Sequence, residues 1–106
     1  MNPIETKLNG HALMAINKVW GHFVFQKTIS GKCEQSILEQ VAARFMKKQI
    51  ARVGKNQAKE FTLSLQFFEV VPLERQLRNI VDQLPPTSHE KAAILLFKNQ
   101  LHQQIP

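Results

Sequence analysis

The segment from Glu34 to Glu60 constrains the fold most, because its side chains recur with helical periodicity. At 100° per residue, one side of a helix gathers a largely apolar set: Leu38, Ala42, Phe45, Met46, Gln49 and Val53. Another side gathers six cations: Arg44, Lys47, Lys48, Arg52, Lys55 and Lys59. No acidic residue lies between Glu39 and Glu60, so the segment predicts a basic amphipathic helix and a polyanionic or acidic partner.

Gly54 leaves the end of this helix open. It can end the helix in the left-handed conformation, with Asn56 capping the next element. It can also be tolerated inside one long helix that reaches Glu60, at a cost of about 1 kcal/mol relative to alanine. Lys55 and Lys59 extend the basic row only if the helix continues through Gly54.

The N-terminal sequence carries helix-start signals. Asn2 is a suitable N-cap, Pro3 suits the first turn, and Glu5 follows the cap by three residues. Apolar residues then recur at helical spacing: Leu8, Ala12, Ile16, Val19, Trp20 and Phe23. These signals predict a first helix that runs to about Val24.

Prolines divide the C-terminal half into two further predicted helices. Pro72 predicts a break and the start of a helix that ends near Leu84, because proline lacks an N–H and crowds the preceding turn. Thr87 and Glu90 match a capping box and predict a last helix to about Gln104.

The segment from Phe61 to Phe67 alternates apolar and polar residues, which is typical of a strand. A lone strand has no ladder for its backbone groups, and no second strand is evident. We therefore favour a helix here. The predicted fold class is all-α: a single domain over residues 1–106, packed as a small bundle of four to five helices.

The longer segment from Phe61 to Leu73 is apolar on every side if it is helical, and such a helix must be buried. Two alternatives stay open: a central core helix, or a surface covered by a partner or a second copy of the chain. A break at Pro72 would create an apolar corner, so we predict Phe67, Phe68 and Leu73 as candidates for a partner interface.

Composition sets broad limits on function. Lys and Arg exceed Asp and Glu by 14 to 8 in 106 residues, and the net charge of +6 is compatible with nucleic-acid contact. Cys33 is the only cysteine, which excludes an internal disulfide and predicts a cytoplasmic protein. The longest apolar run, Ala92 to Phe97, is far shorter than the roughly 20 residues of a spanning helix, so no membrane insertion is expected.

Enzyme motifs are missing from the sequence. It has no Gly-rich phosphate loop, no HExxH and no GxSxG, and Asp82 is its only aspartate. His11 and His22 lie eleven residues apart, about 16 Å along a helix, which is too far for a shared metal. We expect no catalytic residues, no metal and no cofactor.

Two functional hypotheses follow. The first is a non-enzymatic adaptor or modulator, a regulator that docks on a larger macromolecule, expected to be a protein that handles nucleic acid. It would use the six cations for steering and the apolar corner as anchor. The second is direct DNA or RNA binding through the basic helix around residues 44–59. The alternative to both hypotheses is that the basic helix face is simply solvated and binds no partner.

Overall fold

The computed structural model describes residues 3–105, which form a two-stranded antiparallel sheet and four α-helices. In chain order the elements are β1 (Ile4–Leu8), α1 (Gly10–Asn17), a 3-10 turn (Trp20–His22), α2 (Ile29–Ala51), β2 (Phe61–Leu65), α3 (Phe67–Val81) and α4 (His89–Gln104). Most of the chain is helical, but the fold is mixed α and β. The all-α prediction is therefore wrong.

The first element is a strand where a helix was predicted. Ile4, Thr6 and Leu8 are buried while the intervening residues are exposed, which is the period-2 pattern of a half-buried strand. The predicted cap Asn2 lies outside the described residues. Helix α1 begins instead after Asn9, whose side chain accepts a hydrogen bond from the Ala12 N–H at 2.8 Å.

The second strand is β2, so the preference for a helix over Phe61–Phe67 is also wrong. It pairs antiparallel with β1, with Ile4 opposite Leu65 and Leu8 opposite Phe61. The missing ladder partner therefore lies near the start of the chain. Glu69 then caps the start of α3, since its Oε1 accepts a hydrogen bond from the Gln66 N–H at 2.8 Å.

Helix α2 is the long basic helix that the sequence predicted, but it does not continue through Gly54 to Glu60. Thr28 caps its start by accepting from the Gly31 N–H at 3.1 Å. The helix ends at Ala51, and Gly54 follows in the left-handed conformation with φ of 83°. Lys55 and Lys59 consequently lie in the loop between α2 and β2 rather than on the helix.

Pro72 lies inside α3, so the predicted helix break is wrong. Val70, Leu73 and Leu77 are fully buried on one face that continues past the proline. Burying such side chains contributes about 1.5–3 kcal/mol each. Their sum exceeds the roughly 3 kcal/mol cost of an internal proline. The apolar corner that depended on the break therefore does not exist.

One apolar cluster joins both strands and all four helices. Its centre is aromatic: the Phe45 ring lies 5.5 Å from that of Trp20 and 6.0 Å from that of Phe97, both in edge-on geometry. These contacts connect α2 to α4 and to the 3-10 turn. Helix α4 is capped by Ser88 rather than Thr87, and it ends at Gln104 as predicted.

Candidate basic interface

The six predicted cations divide between a helix and a loop. Arg44, Lys47 and Lys48 lie on α2, and Arg52 is its C-cap residue. The loop that follows carries the remaining two, Lys55 and Lys59. We call these six residues the basic surface.

Arg44 is committed to an ion pair within the protein. Its Nη2 donates to Glu69 Oε2 at 2.5 Å, and the Glu69 side chain is buried. The other carboxylate oxygen of Glu69 caps the start of α3. Arg44 therefore holds α2 against the start of α3, and its charge is paired although its side chain is 48% exposed.

Arg52 organises the loop after α2. Its guanidinium carbon lies 4.2 Å from the centre of the Phe61 ring, a cation–π arrangement. Its Nη2 also donates to the carbonyl oxygens of Asn56 at 3.1 Å and Lys59 at 3.4 Å. Arg52 thus holds the loop after α2 in place, and its guanidinium group is engaged within the protein.

The four lysines carry the uncompensated charge. Lys48 Nζ lies 5.2 Å from the centre of the Phe61 ring, and within residues 3–105 none of the four forms an ion pair. The acidic side chains that do form ion pairs with Lys or Arg elsewhere in the described chain are Glu34, Glu74 and Glu90. Lys47, Lys48, Lys55 and Lys59 therefore present positive charge to any partner.

Three of the cations form a row at the C-terminal end of α2. Arg44, Lys48 and Arg52 are spaced four residues apart, so they share one helix face over about 12 Å. One end of the row contacts Phe61 at the start of β2, and the other contacts Glu69, just past its end. The row therefore reaches from the start of β2 to the start of α3.

Exposed apolar side chains lie on the neighbouring face of α2. Met46 is 41% exposed, Ile50 is 72% exposed, and Val53 in the turn after the helix is 76% exposed. Met46 and Val53 were predicted on the apolar side, but Ile50 was not. Its position was available in the sequence, since residues four apart on a helix are neighbours.

The predicted partner-interface residues differ in exposure. Phe68 is 59% exposed, and Val71 one turn later is partly exposed as well. Phe67 is half-buried and packs against the core. Leu73 has no exposed surface and contacts no partner in this conformation. Only Phe68 remains as a candidate from this set.

Neither a metal-binding cluster nor a membrane-spanning helix is found in the part of the chain that the structure describes. Across residues 3–105, no three His, Cys, Asp or Glu side chains gather as a metal site would require. No helix among these residues is long and apolar enough to cross a membrane. Cys33 is exposed.

Comparison with protein-family models, with curated proteins and with solved structures finds no significant match to this chain. Function is therefore inferred from the chemistry of the surface.

Proposed function

We propose that the protein is a small non-enzymatic adaptor or modulator that docks on an acidic surface of a larger protein, one that handles nucleic acid. The observation that carries this proposal is the juxtaposition on α2 of exposed Met46 and Ile50 with the unpaired Lys47. Protein interfaces combine apolar anchors at their centre with a polar and charged rim. The net charge of +6 supports an acidic partner.

The two kinds of residue have different roles in this proposal. The lysines attract an acidic surface over several ångströms and raise the rate of encounter, an effect that salt weakens. Met46 and Ile50 then lose their exposed apolar area on contact, which stabilises the complex by about 25 cal/mol per Å² before ordering costs. Phe68 offers a second exposed apolar side chain, on α3.

Direct DNA or RNA binding is the second candidate, supported by the four unpaired lysines. Lysines neutralise phosphates without reading sequence. Arginine is the usual side chain for specific contacts to guanine, and both arginines of the basic surface already have partners within the protein. The surface therefore favours a protein partner over sequence-specific nucleic-acid recognition.

The proposal includes a cytoplasmic location. Its support is Cys33, a single exposed thiol that suits a reducing compartment.

Site-specific photo-crosslinking in the host cell tests the proposal. A benzophenone amino acid at Ile50 should form a nuclease-resistant crosslink to one discrete protein, and Lys47→Glu should reduce its yield. The same probe at Ser36, an exposed position near the other end of α2, is the matched control and should give no such product. A crosslink at Ile50 that disappears on nuclease treatment would instead establish the nucleic-acid alternative.

An anisotropy titration against single-stranded and duplex oligonucleotides tests the second candidate directly. Four lysine–phosphate contacts predict a slope of about −3.6 in log K against log salt, hence an affinity loss of about 150-fold between roughly 50 and 200 mM. The proposed function predicts no appreciable binding even at the lower salt concentration, where the nucleic-acid alternative predicts its highest affinity.

A further inference from the structure

The two edges of the sheet are treated differently by the rest of the protein. On β1, the Lys7 N–H donates to Gln100 Oε1 and the Lys7 carbonyl accepts from Gln100 Nε2, both at 2.9 Å. The Glu5 carbonyl accepts from Gln104 Nε2 at 3.0 Å. Glutamines of α4 therefore cover the outer edge of β1.

The hydrogen bonds from α4 to β1 show which backbone groups of β2 point away from β1. Opposite residues in an antiparallel pair either bond to each other or both turn their backbone groups outward. Lys7 lies opposite Thr62 and Glu5 lies opposite Ser64, and both β1 residues bond outward to α4. Thr62 and Ser64 must therefore direct their N–H and C=O groups to the other edge of β2.

That edge of β2 is open. Thr62 and Ser64 are exposed, and their backbone groups have no hydrogen-bond partner within residues 3–105. Proteins usually protect such an edge with a lysine, a proline, a bulge or a covering element. The strand itself, Phe61–Leu65, contains neither a charged residue nor a proline. Four backbone groups are available to a further strand.

The cations near the start of β2 indicate what kind of strand could bind at this edge. Phe61 and Leu63 are half-buried on the face of β2 that looks toward the protein interior, and Lys48 and Arg52 stand over Phe61. An added strand directs every second side chain to that same face. Acidic side chains at those positions would approach Lys48, which has no ion-pair partner in the described chain.

We propose that the open edge of β2 binds an extended acidic segment of the protein partner, which adds to the sheet as a third strand. The inference rests on the proposed function, because it names the partner's contacting segment. Backbone hydrogen bonds to Thr62 and Ser64 hold the segment, and its carboxylates face the cations of α2. A second copy of this chain fits less well, because each copy carries a charge of +6 at pH 7.

The probe is a synthetic decapeptide of alternating glutamate and valine, and the readout is amide hydrogen exchange followed by NMR. Peptide binding should slow exchange of the Thr62 and Ser64 amides at least tenfold. The Lys7 amide, already bonded to Gln100, is the internal reference and should change little. A lysine–valine decapeptide is the charge control and should have no effect.

Two pairs of variants separate the backbone contribution from the charge contribution. Ser64→Pro removes an outward N–H without touching the ladder to β1, and it should weaken peptide binding at least tenfold. Glu5→Pro makes the same change on the covered edge and should leave binding unchanged. Lys48→Glu should weaken binding similarly, whereas Lys27→Glu alters the net charge equally just before the far end of α2 and should not.

Slowed exchange at Thr62 and Ser64, together with both variant effects, would support strand addition. Binding that Lys48→Glu weakens without any slowing at these amides would overturn it and leave the proposed function standing. No binding of the decapeptide would also overturn it, and the crosslink at Ile50 would still decide the proposed function. Exchange measured on the unaltered protein keeps the test valid if Ser64→Pro does not fold.

Discussion

At the residue scale, Gly31 occupies a position where no side chain fits. A Cβ atom there would lie 2.0 Å from the carbonyl oxygen of Gln26, a backbone atom that cannot move away alone. We expect Gly31→Ala to lower the free energy of unfolding by about 1–3 kcal/mol, measured by urea denaturation. Gly21→Ala is the control, since a Cβ there meets no atom within 4 Å, and it should change stability by less than about 0.5 kcal/mol.

Two phenylalanines should respond very differently to truncation. Phe97 is fully buried against Phe45, so Phe97→Ala should cost about 3–5 kcal/mol of folding free energy. Phe68 is 59% exposed, so Phe68→Ala should cost under about 1 kcal/mol. Thermal melts of the two variants check this. A large loss of stability for Phe68→Ala would place that side chain in the core and remove it from any interface.

Glu90 should make the start of α4 sensitive to acid. Hydrogen bonding to its own backbone N–H, and then to Lys18 at 3.4 Å, lowers the pKa of Glu90 from its ordinary value of 4.5. A lowered folded-state pKa means that the stabilisation is present above about pH 4.5 and is lost as the pH falls through the folded-state pKa. We expect Glu90→Gln to melt below the unaltered protein at neutral pH, and the difference should disappear as the pH falls through the folded-state pKa of Glu90. A difference that is constant with pH would contradict this.

At the element scale, the attachment of α4 to β1 is testable through Gln100. Gln100→Ala removes both hydrogen bonds to Lys7 and should destabilise the protein by about 1–2 kcal/mol. The Lys7 amide should also exchange faster in this variant. Gln103 is exposed on the same helix and its side chain makes no hydrogen bond within residues 3–105, so Gln103→Ala should change neither property.

The sequence predicted the long helices better than the strands. Helices α2 and α4 have local signals, namely 3.6-residue periodicity and caps, and these suffice. Strand β1 alternates as regularly as β2, but the N-terminal capping signals pointed to a helix there. The pairing of Thr6 with Leu63 also spans 57 residues, so no local pattern reveals it. Pro72 was misjudged because the burial of Leu73 and Leu77 outweighs its local cost.

The sequence predicted which residue types form the candidate site. It did not predict which of these residues have partners within the protein. All six cations were visible as a pattern, whereas the roles of the two arginines depend on tertiary contacts. Arg44 meets a carboxylate 25 residues away, and Arg52 meets carbonyl groups of a loop whose shape depends on Gly54. The open edge of β2 was beyond prediction, because it follows from the register with β1.

At the scale of the whole molecule, the single apolar cluster predicts cooperative unfolding. Trp20 is the only tryptophan and contacts Phe45 at the centre of the cluster, so its fluorescence reports on the core. We expect urea transitions followed by Trp20 fluorescence and by far-UV circular dichroism to coincide. Midpoints that differ by more than the experimental error would show that the sheet or one helix unfolds separately.

The glutamine contacts between α4 and β1 also have a consequence for synthesis on the ribosome. Lys7 and Gln100 are 93 residues apart, so at about 5–20 residues per second the strand is made roughly 5–20 s before its covering helix. Until β2 is made, within that interval, β1 has neither neighbour in place, and its backbone can pair with any extended chain nearby. Slow translation should therefore increase the need for chaperone binding to the β1 segment of the nascent chain.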